Sequence, residues 1–287
     1  MKKLSGLLLL SCFVCGGSLT LNAQQSANNV TTPPKVLVIQ REFVKPGKQG
    51  STHEKTEGAF VRAMMAAKWP THYLGMDSLS GPSRSLFFIG YDSFAAWEKD
   101  SMAMMKNPSL SAAFDRAAQE DGELLSRYET GVFTYNEEYS LRAPVNIGQM
   151  RLMEITAFKI RTGHRKDWDA LVKMYKSAYE KAVPDAHWAM FETMYGTDIS
   201  YLLITPMKSA SEVDNENAAD AAFRKAMSEE DAKKAAELAA ASIESSESNL
   251  FLFNPKISYP SDTWVKADPA FWKPNTTTET SENSQAQ

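Results

Sequence analysis

Residues 72–89 read HYLGMDSLSGPSRSLFFI, and residues 187–204 read HWAMFETMYGTDISYLLI. Each stretch opens on a histidine followed by an aromatic residue (His72-Tyr73, His187-Trp188), breaks at a glycine (Gly81, Gly196) and closes on four apolar residues. Two β-rich runs joined by turn residues form a hairpin pattern. All three landmarks recur 115 residues later, and a fixed offset across a whole hairpin marks an internal repeat.

Working outward from the hairpins, Gly47 matches Gly163 at an offset of 116, and Phe133 to Asn136 matches Phe251 to Asn254 at 118. Ala112-Ala113-Phe114 matches Ala221-Ala222-Phe223 at 109. In the first copy Val36 to Phe43 is β-rich, and Ser51-Thr52-His53-Glu54 has the form of a capping box. Phe60, Ala63, Met64 and Ala67 then recur at helical spacing until Trp69-Pro70. After the hairpin come a helix containing Leu110, Phe114 and Ala117 and a last strand, Gly131 to Tyr135. The second copy repeats the order: strand Leu152 to Ile160, a helix with an apolar face from Trp168 to Ala182, the hairpin, an alanine-rich helix from about Ala218 to Ile243, and strand Asn249 to Phe253. Each copy is therefore βαββαβ. The mixed charges Glu229, Glu230, Asp231, Lys233 and Lys234 read as a solvated helix face.

The N-terminus carries Lys2 and Lys3, an apolar run from Leu7 to Val14, and Leu21-Asn22-Ala23 before a polar stretch, which are the parts of a secretory signal cleaved after Ala23. A membrane anchor would need about 20 apolar residues, and the run ends at Cys15-Gly16-Gly17. A lipid anchor on Cys12 would want a smaller residue than Leu10 before Ser11. Both cysteines lie in this segment, so the mature chain contains no thiol or disulfide. Loss of Lys2 and Lys3 leaves 29 basic against 35 acidic residues, a net charge of −6. That balance argues against a nucleic-acid or anionic-membrane surface, and with no further apolar run of membrane length no stable membrane insertion is expected.

The expected division is thus 1–23 signal, 24–34 flexible leader, 35–136 first unit, 137–148 connector, 149–254 second unit, 255–274 an extension with Trp264, Phe271 and Trp272 wrapping a domain surface, and 275–287 a disordered tail. Export places the chain in the periplasm or outside the cell.

With its element order, turn glycines Gly81 and Gly196, and paired strands Leu86 to Ile89 and Tyr201 to Ile204, the chain resembles the dimeric α+β barrel superfamily over residues 35–254. Within it, the resemblance is greatest to NIPSNAP-type and antibiotic-biosynthesis-monooxygenase-like members. The resemblance implies an α+β fold of two tandem ferredoxin-like units whose antiparallel sheets pair into one barrel. It also implies a functionally diverse group that includes cofactor-free oxygenases, isomerases, haem enzymes and proteins without a known reaction, so fold does not settle function.

The chemistry must come from residues. His72 and His187 occupy equivalent positions in a chain with four histidines, and are candidate acid and base groups or merely duplicated loop partners. Glu154, between Met153 and Ile155 in a strand, is a candidate general base if it points into a dry barrel and a solvated carboxylate if it points out. Asp77 and Glu192 share that ambiguity. Tyr73, Trp188 and Met190 are the expected ligand-binding residues for a small apolar or aromatic molecule. No metal and no cofactor is expected: two histidines lack a third ligand, His53 and His164 lie in no haem motif, and Met102, Met104 and Met105 suit a core as well as copper. Phosphate loops, GxSxG, HExxH and CxxC are absent from the mature sequence. Two functions remain: a small-molecule-binding protein with cofactor-free oxygenase or isomerase activity, or a non-catalytic exported interaction protein whose barrel is filled by its own side chains.

Overall fold

The computed structural model describes residues 30–273. The expected signal segment, most of the leader and the expected tail from residue 275 lie outside them. Eight strands run in the order β1 (Val36–Val44), β2 (Tyr73–Ser78), β3 (Arg84–Tyr91), β4 (Leu125–Leu141), β5 (Leu152–Ile160), β6 (Trp188–Tyr195), β7 (Tyr201–Met207) and β8 (Ile243–Phe253). They close into one antiparallel barrel, β1-β3-β2-β8-β5-β7-β6-β4. The first four strands hold the order β4-β1-β3-β2 and the last four β8-β5-β7-β6, the same arrangement in each half, joined where β2 meets β8 and β4 meets β6.

Period-2 alternation decides which side chains enter the barrel. From β1 and β5 these are Leu37, Ile39, Met153 and Ile155, and from β2 and β6 they are Leu74, Met76, Ala189 and Phe191. Phe133, Phe251 and Phe253, each at most 2% exposed, fill the interior with Met76. Burying each phenylalanine contributes roughly 1.5–3 kcal/mol. The outer faces are also apolar because helices cover them. α1 (Ser51–Ala67) packs with α3 (Pro108–Gly122) over the first half, and α4 (Arg165–Ala182) packs with α7 (Glu229–Ser242) over the second. Completing the set are α2 (Phe94–Met105), a single turn α5 (Ser211–Asp214), α6 (Glu216–Ala226), α8 (Asp262–Ala267) and α9 (Pro269–Trp272).

Several expectations are corrected. Leu86 and Phe88 point inward, as do Leu202 and Ile204, whereas Tyr201 packs outward against Trp168. The third strands therefore correspond at an offset of 116, since a one-residue slip would exchange their faces. No capping box forms: Gly50 is the N-cap of α1 without a side-chain bond, and Glu54 instead meets Asn254 and Lys256. The long alanine-rich helix is two helices broken at Met227-Ser228, where Ser228 caps α7. β4 runs on to Leu141, through the start of the expected connector. The leader is fixed at its end, where Thr31 and Val145 exchange two backbone hydrogen bonds of 2.7 and 3.2 Å. The C-terminal extension does more than wrap a surface: Trp272, 3% exposed, joins the barrel's own core beside Phe253 and Trp264.

Candidate functional site

The barrel is packed through its middle and hollow at one end. A cavity of about 730 Å³ opens there, walled by Leu37, Leu74, Phe88, Met153, Phe191 and Ile204, so inward side chains of both halves share it. The first half's β1, β2 and β3 and the second half's β5, β6 and β7 supply these six residues. Its rim is built from the leader's Thr31 to Pro34, Trp69 to His72 before β2, α2, and Trp264 on α8. Asp100 on α2 anchors that rim by accepting from Trp69 Nε1 at 3.0 Å, Thr71 Oγ1 at 2.7 Å and Tyr91 OH at 3.0 Å. Desolvation and the nearby Asp100 charge raise the pKa of Tyr91, so it stays a neutral donor.

His72 lies on this wall, its ring tilted over Tyr259 at 4.6 Å, and its buried Nδ1 has no hydrogen-bond partner. His187 lies elsewhere. It borders a cavity of about 810 Å³ outside the barrel, between the second half's sheet and α4, with its nitrogens 2.8 Å from the Pro206 carbonyl oxygen and 3.1 Å from that of Asp185. The two histidines therefore do not share one cavity. Glu154 belongs to the outward-facing set of β5 and borders the same outer cavity as His187, Trp188 and Met190. Of the two placements the sequence left open, it takes the outward one: Met153 and Ile155 take the inward positions. Tyr73 also points outward, into the cluster under α1 with Phe87 and Met64. Of the residues singled out by sequence, only His72 reaches the barrel cavity. Trp188 Nε1 is already bonded to the Tyr139 carbonyl at 2.8 Å. Glu192 pairs with Arg165 at 2.7 Å.

Sequence reasoning missed a second group of residues. Beneath α1, on the outer face of the first half, Glu42 (β1), His53 and Glu57 (α1) and Asp121 (α3) are each 2–7% exposed and face one another. His53 Nε2 is 3.1 Å from Glu42 Oε2 and 3.4 Å from Asp121 Oδ1, and Thr56 Oγ1 donates to Asp121 at 2.6 Å. On the other side of the ring, Ser85 Oγ lies 3.4 Å from Nδ1 and donates to Asp77 Oδ1 at 2.5 Å. Burial, then the charges of Glu42 and Asp121, drive the Glu57 pKa well above its ordinary value. Burial also raises Glu42, with His53 pulling the other way. For His53 burial disfavours the charged ring, but the hydrogen bond to Glu42 and the charges of Asp121 and Glu42 outweigh it, and its pKa rises. The legible signal was the i, i+4 pair His53 and Glu57, which shares one helix face. Glu42 and Asp121 join it only through the fold.

No family model and no curated protein sequence matches the chain. Solved structures resemble it in fold. A candidate monooxygenase from Fusobacterium nucleatum superposes with a TM-score of 0.51 at 10% identity, over 78% of this chain and 94% of its own. A chlorite dismutase variant from Candidatus Nitrospira defluvii gives 0.46 at 10% identity, over 84% and 98%. An anthrone oxidase-like protein gives 0.45 at 12% identity, over 76% and 91%. The first of these likenesses shows the fold, an α+β barrel, and leaves the reaction to the residues of this chain.

Proposed function

We propose that this chain binds one small, largely apolar or aromatic molecule in the barrel-end cavity, with His72 as the proton carrier that a cofactor-free oxygenase or isomerase would need. The observation that carries this is the cavity itself: an apolar space of about 730 Å³ between the inner faces of both halves of an otherwise packed barrel. Ligand sites are of this size and character, mostly apolar with a few polar groups on the wall. Here those groups include His72, Tyr91, Lys99 and Asp100. Two copies of one ferredoxin-like unit, fused in tandem, account for the shared strand order of the halves and supply both walls. His187 and Glu154, outside the barrel, take no part.

Native mass spectrometry of residues 24–287, followed by thermal shift against a panel of aromatic compounds, tests the proposal. Retained mass or a stabilising compound is expected, with the effect lost in Ala189→Trp and in a milder cavity-filling change, Ala143→Leu. Ala189 and Ala143 are both buried on the cavity wall. A clean mass and no shift across the panel would instead favour the non-catalytic interaction protein, a reading that the densely filled middle of the barrel supports.

We further infer export, supported by the Lys2-Lys3, Leu7 to Val14 and Ala23 pattern. Among the described residues no helix is long and apolar enough to cross a membrane. N-terminal sequencing of the protein recovered from its native cells should begin at Gln24; a start at Met1 would remove the inference.

A further inference from the structure

We propose that Glu42, His53, Glu57 and Asp121 form a binding site for one divalent transition-metal cation of the Mn²⁺, Fe²⁺ or Zn²⁺ class, buried between the first half's sheet and helices α1 and α3. The site lies outside the barrel and does not depend on the cavity proposed above.

Each residue offers one ligand atom, and the four atoms lie within 4.8 Å of one another. With metal–ligand distances of about 2.1 Å, donor atoms are roughly 3.4 Å apart around a tetrahedral cation and up to about 4.2 Å apart across an octahedral one, so side-chain movements of about 0.6–1.4 Å close the shell. Glu57 Oε1 is the direct pointer to a ligand. The side chain is 3% exposed, and this oxygen is buried with no hydrogen-bond partner, an arrangement that costs about 1–3 kcal/mol unless something fills it. Among the described residues no Lys or Arg pairs with any of the three carboxylates; His53 meets Glu42 and Asp121.

The outer contacts set the histidine for ligation. Ser85 gives its own proton to Asp77, so its oxygen can accept from His53 Nδ1–H, which leaves Nε2 facing Glu42 and Asp121. Asp77 is held in turn by Asn254 Nδ2 at 2.7 Å. A ligating histidine whose other nitrogen is fixed by a polar relay ending in a carboxylate is the usual support of a metal site. One imidazole among three carboxylates suits Mn²⁺, Fe²⁺ or Zn²⁺ better than the all-oxygen preference of Mg²⁺ or Ca²⁺. Glu42 and Glu57 also border a cavity of about 320 Å³ that supplies a way in.

The molecule contains its own control. By strand register and helix burial, the second half places Phe158, Trp168, Val172 and Ala239 where the first places Glu42, His53, Glu57 and Asp121. Those four residues belong to an ordinary apolar cluster, with the Phe158 and Trp168 rings 5.0 Å apart. Hydrocarbon therefore suffices for the fold at this position. Burying ionisable groups there instead sacrifices stability, which a bound cation would restore.

The test uses the mature chain, stripped with a chelator, dialysed, and titrated with MnCl₂ and ZnCl₂ by calorimetry, and anaerobically with Fe²⁺. One equivalent should bind with a rise in Tm. Asp121→Asn and Glu57→Gln should weaken binding at least tenfold, Ser85→Ala by about tenfold through loss of the relay, and Glu154→Gln not at all. Should Glu57→Gln fail to fold, Asp121→Asn and the Mn²⁺ electron paramagnetic resonance signal of the unmutated protein decide. A folded, stripped protein that binds none of the three ions overturns the proposal, and so does affinity unchanged in Asp121→Asn, which would place the ion elsewhere on the surface.

Discussion

Glu57 is a carboxyl group held in a dry pocket among like charges, so its proton is worth more to the folded chain than to the unfolded one. Its raised pKa, like those of Glu42 and His53, contributes stability at low pH that is lost as pH rises: from about 4.5 upward for the carboxyls, above about 6.5 for the imidazole. The groups facing it are Glu42 from β1, His53 from α1, Asp121 from α3, Asp77 behind Ser85, and Tyr73, which burial also keeps neutral. In chelator, Glu57→Gln, a mimic of the protonated acid, should therefore unfold at higher urea than the parent at pH 8, and the difference should shrink toward pH 5. A difference independent of pH would mean that the group does not titrate as argued. Backbone positions can be tested as sharply. At Gly196 φ is +83°, and an added Cβ would meet the Thr130 carbonyl oxygen at 2.2 Å, whereas at Gly47 φ is +78° with nothing within 4 Å. Gly47→Ala should cost about 1–2 kcal/mol from the left-handed backbone alone, and Gly196→Ala more, because the carbonyl must also move. Equal losses in urea unfolding would count against that contact. At this scale the sequence disclosed candidates without their surroundings. His72, His187 and Glu154 were visible, but strand alternation gives two faces without saying which is inside, and the buried tetrad joins residues up to 79 positions apart that no local pattern connects.

Single residues act through elements whose ends they fix. α7 begins at Ser228, whose Oγ accepts from the Asp231 backbone N–H at 3.0 Å and donates to Asp231 Oδ2 at 2.8 Å. Ser228→Ala should lower stability by about 1 kcal/mol, seen as an earlier urea midpoint with an unchanged slope. A midpoint shift below the error of the measurement would mean that the break between α6 and α7 is held by packing instead. The same cap explains why the alanine-rich stretch was not legible as two helices: alanine favours helix on both sides of the break, and Met227-Ser228 contains neither glycine nor proline. Strands were easier. β5 occupies the residues expected of it because an apolar inner row and a helix-covered outer row make a continuous β-rich run ending at the turn before Gly163. α2 went unread because its apolar residues form no strong stripe; they serve the rim of the cavity, and Met102 and Met105 remain exposed.

At the scale of the molecule, closure is what the pairing of the two halves accomplishes. A four-stranded half would expose the edges of β2 and β4, or of β6 and β8, as unpaired backbone; in the chain β2 is covered by β8 and β4 by β6. The joins are unequal. β4 meets β6 from Val132 to Leu141 with two register shifts, whereas β2 meets β8 over Met76 to Ser78 only. The weaker seam is reinforced by the C-terminal extension, where Ser258 Oγ accepts from Gly75 N–H at 2.9 Å, Tyr259 and Tyr73 exchange backbone bonds, and Ile257 is fully buried. Both halves and the extension thus share one interior, with Trp272 in the same core as Leu37 and Phe191. Two consequences follow from a shared core. The chain of residues 24–287 should unfold in a single transition, with far-UV circular dichroism and tryptophan fluorescence coincident, because neither half can lose its inner face without exposing the other's. A chain ending at residue 254 should lose that cooperativity and bind a hydrophobic dye, since removal of Ile257, Trp264 and Trp272 opens the short seam and uncovers the hollow end of the barrel. Two separated transitions in the full chain would show that the halves are stable alone, and dye-free cooperative unfolding of the shortened chain would show that three residue pairs suffice to close the β2–β8 seam without the extension.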